Sequence, residues 1–113
     1  MANHVIVGGG PSGMNAIETI RGYDGDASIT LICNEPAYAR MALPYYISGD
    51  VGKDHVLTGD EAYFSKLGVT TKFGSKVTSV DPGTNSVMLD DGSTVSYDNL
   101  LIATGSSPHK LNI

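Results

Sequence analysis

Three glycines near the start of the chain constrain its fold more than any other feature of the sequence. They occur as Gly8-x-Gly10-x-x-Gly13, directly after an apolar run that ends at Val7 and directly before a segment with helical periodicity. In this context the first glycine permits a tight turn, the second lets the backbone approach a phosphate, and the third lets the helix pack closely on the strand. The pattern therefore predicts a parallel βαβ unit with a phosphate-binding turn.

The remaining sequence predicts the other elements of an α/β domain. Apolar or alternating runs predict strands at residues 4–7, 28–33, 69–73, 76–80, 86–89, 93–95 and 100–103, the last of them buried. Helices are predicted from Pro11 to Gly22 with Arg21 on the outer face, at residues 39–42 with an end before Pro44, and at 60–67. The turn-forming segments 81–85 and 90–92 favour antiparallel hairpins. We therefore expect a parallel sheet that carries an antiparallel β-meander.

One acid supports a nucleotide-binding interpretation of the glycine turn. Glu35 follows the second predicted strand, roughly 20 residues after Gly13. An acid at this place accepts hydrogen bonds from an adenosine ribose and repels a 2′-phosphate. Pro11 suits a first helical turn and Ser12 can add a hydroxyl donor, so both belong to the predicted phosphate site. A stand-alone NAD-binding or sensor module is an alternative to an enzyme at this point.

Charge and composition argue against several other classes of function. Acidic residues outnumber basic ones by 12 to 7, and the net charge of −5 leaves no basic patch for a nucleic acid. The single cysteine, Cys33, excludes an intrachain disulfide and is interpreted as a small core residue. His4, His55 and His109 lack metal-ligand spacing, so no metal site is predicted. We expect no signal peptide and no membrane contact, and hence a cytoplasmic location.

Three segments together resemble the FAD domain of the pyridine nucleotide-disulfide oxidoreductase superfamily. The first is the glycine turn at residues 5–13, with Glu35 on the next strand. The second, residues 97–108, contains Ala103-Thr104-Gly105 and is similar to the second FAD motif of the superfamily. The third begins at Arg40 and runs to residue 47, and it is similar to a segment near the flavin in the coenzyme A-disulfide reductase and NADH oxidase branch. The resemblance covers residues 3–108, nearly the whole chain.

The resemblance implies the fold class, the cofactor and the residues of the site. It implies a Rossmann-like FAD-binding domain over residues 1–113, a partial one because the nicotinamide-binding and interface domains are absent. It places the Ala103–Gly105 strand end near the flavin and the backbone of Val77 at the adenine, while Arg40 either contacts pyrophosphate or adenosine or is an exposed surface residue. The predicted cofactor-binding residues are Gly8, Gly10, Pro11, Ser12, Gly13, Glu35, Arg40, Val77, Ala103, Thr104 and Gly105.

By the same resemblance, the parent protein is an oxidoreductase that uses NADH or NADPH as co-substrate. Its FAD passes electrons to an acceptor such as a redox protein, a nitrite reductase-type centre, a quinone or oxygen. The redox cysteine of the thiol-using members corresponds to Met41, which cannot form a thiolate, so disulfide reduction is not expected. Tyr38, Tyr45 and Tyr46 are interpreted either as packing residues or as neighbours of the flavin.

The 113-residue chain by itself is expected to be an inactive fragment of such an enzyme. With only part of the cofactor contacts, it should bind FAD weakly or not at all. Uncovered strand edges and apolar surface should favour a homo-oligomer, a dimer or larger. The second alternative is a subunit of a split flavoprotein, whose site a partner chain completes.

Overall fold

The computed structural model describes residues 2–35, 37–57, 59, 61–106 and 111, without the side chains of residues 40, 54 and 55. Within these residues it contains seven β-strands and four α-helices. The strands are β1 (Asn3–Val7), β2 (Ser28–Cys33), β3 (Val69–Phe73), β4 (Val77–Asp81), β5 (Ser86–Leu89), β6 (Thr94–Ser96) and β7 (Asn99–Ile102). The helices are α1 (Pro11–Tyr23), α2 (Leu43–Ser48), α3 (Lys53–Val56) and α4 (Glu61–Lys66), and a 3₁₀ turn spans Arg40–Ala42. Every predicted strand is present, with its ends within about one residue of the prediction.

Four strands form a parallel sheet in the order β3-β2-β1-β7. Val5 on β1 pairs with Thr30 on one side and with Leu100 on the other. Successive side chains of β1 point to opposite faces, so that Ile6 packs in one cluster with Ile17 of α1, whereas Val5 packs in a second cluster. The prediction of a central strand buried on both faces is confirmed.

The strands β4, β5 and β6 form an antiparallel sheet in that order, which confirms the predicted meander. Its two turns use residues that tolerate a left-handed backbone, since Asn85 has a φ of 51° and Gly92 a φ of 87°. Val87 and Leu89 of β5 are buried in the same cluster as Val5. The meander therefore covers one face of the parallel sheet, and α1 covers the other.

Helix α1 begins at the glycine turn and ends one residue later than predicted. Pro11 occupies its first turn, and Gly10 is its N-cap residue. The helix continues through Gly22 to Tyr23, and the N–H of the following Asp24 donates to the carbonyl of Ile20 at 2.8 Å. The helix end therefore lies within one residue of the predicted Gly22, since a glycine lowers helix propensity without breaking the hydrogen-bond ladder.

Arg21 was predicted on the outer face of α1 and is instead partly buried. Its guanidinium donates to the carbonyls of Leu67 at 2.8 Å, Ala27 at 2.8 Å and Gly25 at 2.9 Å. These acceptors lie in the segments that precede β3 and β2, so Arg21 ties the end of α1 to the starts of two strands. The prediction was wrong because helical periodicity does not indicate which backbone carbonyls of distant segments lie near a side chain.

The segment between β2 and β3 departs most from the prediction. Instead of a helix that ends before Pro44, the 3₁₀ turn leads directly into α2, and Pro44 lies in the first turn of that helix. The missing N–H of proline costs no intrahelical hydrogen bond at that position. Helix α3 was not predicted, whereas α4 falls inside the predicted range and is followed by Gly68 with a φ of 67°.

Strand β7 is more exposed than predicted. Among the described residues it pairs with β1 alone, and Leu101 and Ile102 are 39% and 60% exposed. The prediction of a buried last strand was wrong, because an apolar run does not reveal whether another element covers it. Within the described ranges, no helix combines the length and apolar character needed to cross a membrane.

Candidate functional site

The carboxyl ends of β1, β2 and β7 open into a cavity of about 650 Å³, which we call the cleft. Residues of β4 and of the turn before it form a further wall. In open α/β sheets ligands bind outside the carboxyl ends of the strands, where the connections leave a central strand in opposite directions. Nine of the predicted cofactor-binding residues line the cleft, namely Gly8, Gly10, Pro11, Ser12, Glu35, Val77, Ala103, Thr104 and Gly105.

Gly8 joins the glycine turn to the end of β7. Its φ is +115°, and a methyl group there would lie 2.1 Å from the carbonyl oxygen of Ala103. The two strands are also tied by the N–H of Ala103, which donates to the carbonyl of Val7 at 2.8 Å. A side chain at position 8 would therefore both strain the turn and push the Ala103–Gly105 segment away.

Gly13 and Gly10 have different surroundings, as the motif predicts. A methyl group on Gly13 would lie 2.0 Å from the carbonyl oxygen of Gly8, so this glycine lets α1 pack against the turn and does not face the cleft. A methyl group on Gly10 would meet nothing within 4 Å, and Gly10 does line the cleft. The open space at Gly10 is the space that a ligand close to the backbone would occupy.

The N-terminal end of α1 offers positive charge to the cleft. Gly10 is the N-cap residue, no side chain makes a capping hydrogen bond to the helix N–H groups, and the first turn carries no acidic residue. The first N–H of the intrahelical ladder is that of Met14, which donates to the carbonyl of Gly10 at 3.0 Å. The N–H groups of Ser12 and Gly13 precede it and have no ladder acceptor, so the partial positive charge of the helix end is available to an anion.

Cys33 is a core residue, as predicted, and it also lines the cleft. It is 7% exposed, and its Sγ donates to the carbonyl of Glu35 at 3.0 Å. Burial raises the pKa of the Cys33 thiol, and this outweighs the opposing effect of the hydrogen bond to Glu35. The thiol therefore stays protonated at neutral pH, which is unfavourable for a nucleophile.

The β4 wall contributes cleft residues that the sequence did not indicate. The pairing of β4 with β5 shifts register between Val77 and Ser79, and the hydroxyl of the intervening Thr78 donates to the carbonyl of Met88 at 3.3 Å. Thr78, Ser79 and Val80 line the cleft beside the predicted Val77. A bulge of this kind changes the direction of side chains next to binding sites. Strand alternation gave no signal for it.

The aromatic segment after β2 is divided between the cleft and the surface. Tyr38 lines the cleft and also a second cavity of about 270 Å³, to which Tyr46 contributes. Tyr45 is 59% exposed, so the interpretation of Tyr45 as a packing residue is wrong for the described part of the chain. Met41 is 89% exposed. The backbone of Arg40 lies in the 3₁₀ turn, and its side chain is outside the described residues.

Residues 2–113 match the family described as pyridine nucleotide-disulphide oxidoreductase. Over 107 residues the chain is 30% identical to the NADH-dependent phenylglyoxylate dehydrogenase subunit epsilon of Aromatoleum evansii, covering 93% of this chain and 25% of that protein. The solved NAD-dependent persulfide reductase from A. fulgidus is 38% identical with a TM-score of 0.88, over 98% of this chain and 22% of that one. The NADH:rubredoxin oxidoreductase from Clostridium acetobutylicum is 29% identical with a TM-score of 0.89, over 99% and 30%. The chain thus spans less than a third of each of these relatives.

Proposed function

The chain belongs to the pyridine nucleotide-disulphide oxidoreductase family, and on this premise we propose that its cleft binds FAD as the FAD-binding domain of an NAD(P)H-dependent oxidoreductase. The observation that carries the proposal is the contact of Gly8 with Ala103. It brings the phosphate-type turn and the Ala103–Gly105 strand end into one cavity, although Gly8 and Ala103 are 95 residues apart along the chain. The cavity volume of about 650 Å³ lies within the usual range for cofactor sites.

Each wall of the cleft suits a different part of a flavin dinucleotide. The open backbone at Gly10 and the uncapped end of α1 suit a pyrophosphate, with Ser12 as an additional hydroxyl donor. Glu35 suits the hydroxyl groups of a ribose, and the wall around Val77 suits the adenine. Thr104 and Gly105, at the end of β7, are left for the flavin side of the cofactor.

The bound flavin would supply the redox chemistry, accepting a hydride from a nicotinamide and releasing electrons to the acceptor. The chain would hold the cofactor and shape its surroundings. The single cysteine of this chain is buried and has a raised pKa, so we propose that this domain contributes no redox thiol to electron transfer. Two of the relatives are named for different acceptors, persulfide and rubredoxin, so the family likeness leaves the class of acceptor open.

The test compares valine substitutions at two glycines with nearly the same backbone. Gly10 caps α1 with φ −80° and ψ −169°, Gly52 caps α3 with φ −81° and ψ 169°, and neither has a neighbour within 4 Å of an added methyl group. Only Gly10 lines the cleft, so Gly10→Val should weaken FAD binding at least about tenfold, whereas Gly52→Val should leave it unchanged. Because the isolated chain is expected to bind FAD weakly, both affinities are measured by equilibrium dialysis at protein concentrations high enough to detect weak binding. Equal affinity of wild type and Gly10→Val would refute the site.

A further inference from the structure

Cys33 touches three walls of the cleft at once. Its Sγ donates to the carbonyl of Glu35 at 3.0 Å, and its own carbonyl accepts from the N–H of Ser75 at 3.3 Å, in the turn before β4. A methyl group built on Gly9 would lie 3.2 Å from the Sγ atom, which shows that the sulfur packs directly against the glycine turn. Of these contacts, only the bond to Glu35 is a hydrogen bond that the Cys33 side chain itself donates.

We propose that Cys33 is a positioning residue for the acid that binds the ribose, because its S–H holds the backbone of Glu35 in place. The inference rests on the proposed function, since it assigns Glu35 to a ribose. Strand β2 ends at Cys33, and Asn34 and Glu35 form a bend, so strand pairing no longer orients the acid. The hydrogen bond from Sγ reaches across this bend to the backbone of Glu35, which lines the cleft.

The state of the thiol is suited to this role. A thiolate could only accept hydrogen bonds, whereas the neutral thiol donates one. Because burial raises the pKa of Cys33, the proton that forms the bond to Glu35 is retained at neutral pH. A thiol is a weak donor, so removing it should have a modest effect on binding. Serine at this position keeps a hydrogen-bond donor, whereas alanine, which is close to serine in volume, has none.

The experiment titrates wild type, Cys33→Ala and Cys33→Ser with ADP and with its 2′,3′-dideoxy analogue, following amide shifts by NMR. If Cys33 positions Glu35, Cys33→Ala should bind ADP roughly three- to tenfold more weakly and bind the dideoxy analogue within about twofold of wild type. Cys33→Ser should stay within about twofold of wild type for both nucleotides. A purely structural role would not discriminate between a ligand with ribose hydroxyls and one without them.

The outcomes separate the inference from the proposed function. Equal weakening of both nucleotides in Cys33→Ala, or no weakening of ADP, overturns the positioning role while Gly10→Val still tests the site. If wild type binds no ADP, or binds the two nucleotides equally, the assignment of Glu35 to a ribose fails and the positioning role fails with it. Should Cys33→Ala not fold, Cys33→Val provides a second variant without a donor and is judged by the same ratio.

Discussion

Alanine substitutions at the three motif glycines should change the stability of this chain to very different extents. At Gly8 the added methyl group would lie 2.1 Å from the carbonyl oxygen of Ala103, on a backbone with φ +115°. At Gly13 it would lie 2.0 Å from the carbonyl oxygen of Gly8. At Gly10 it would meet nothing within 4 Å, on an extended backbone that any residue can adopt.

The size of each effect follows from these contacts. A non-glycine residue in a sparsely populated region of positive φ costs about 1–3 kcal/mol, and moving packed backbone to relieve an overlap costs about 1–3 kcal/mol more. We therefore expect Gly8→Ala to lower the free energy of unfolding by about 2–6 kcal/mol and Gly13→Ala by about 1–3 kcal/mol. Gly10→Ala should be neutral or stabilising by up to about 1 kcal/mol, because alanine restricts the unfolded chain.

Urea titrations followed by far-UV circular dichroism would measure the three free energies. Gly52→Ala serves as the control, because it adds a methyl group in equally open space at another helix N-cap outside the cleft. The expected order of stability is Gly10→Ala, then Gly13→Ala, then Gly8→Ala. Equal midpoints for Gly8→Ala and Gly10→Ala would refute the reasoning, because they would mean that the turn does not depend on the contact with Ala103.

Three further predictions concern stability and assembly. Arg21→Met should lower the free energy of unfolding by about 2–4 kcal/mol in the same urea titrations, because the carbonyls of Leu67 and Ala27 lose a charged donor. Arg21→Lys should lose less stability than Arg21→Met but remain less stable than wild type, because an ammonium group cannot donate to all of these carbonyls at once. The raised pKa of Cys33 means that the folded chain keeps a proton that the unfolded chain releases, so stability should fall as pH rises above about 9, and Cys33→Ser should reduce that slope. A slope unchanged in Cys33→Ser would contradict this. Finally, the exposed β7 should pair with a second copy, so sedimentation should show a dimer that Ile102→Lys converts to monomer; a monomeric wild type would contradict the prediction.

The sequence predicted the strands well and the segment between β2 and β3 poorly. Strands such as β2 and β5 follow from short apolar or alternating runs bounded by turn residues, and their predicted bounds agree with the structure. The 3₁₀ turn, α2 and α3 are short helices without strong periodicity, and Pro44 was interpreted as a stop although it also suits a first turn. Short helices of this kind are stabilised by tertiary contacts, which a local pattern does not contain.

The candidate site shows the same division between local pattern and tertiary contact. The glycine spacing and the acid at Glu35 were recognisable from local pattern, because each depends on a backbone requirement or on its place after a strand. The role of the Ala103–Gly105 strand end came only from its resemblance to the second FAD motif of the superfamily. The wall from Thr78 to Val80 was missed, because a bulge arises from a mismatch between two paired strands rather than from one of them.

The sequence by itself determined where the backbone must turn tightly and where strands form, because the absence of a Cβ and the period of apolar residues act within a few residues. Only the tertiary structure decided that Gly8 rests on Ala103, that Arg21 binds carbonyls of distant segments, and that Cys33 joins three walls of the cleft. It also decided that Ile102, as apolar as any core residue, lies on an exposed strand. These properties depend on neighbours that are brought together by the order of strands in the sheet, and no local pattern records that order.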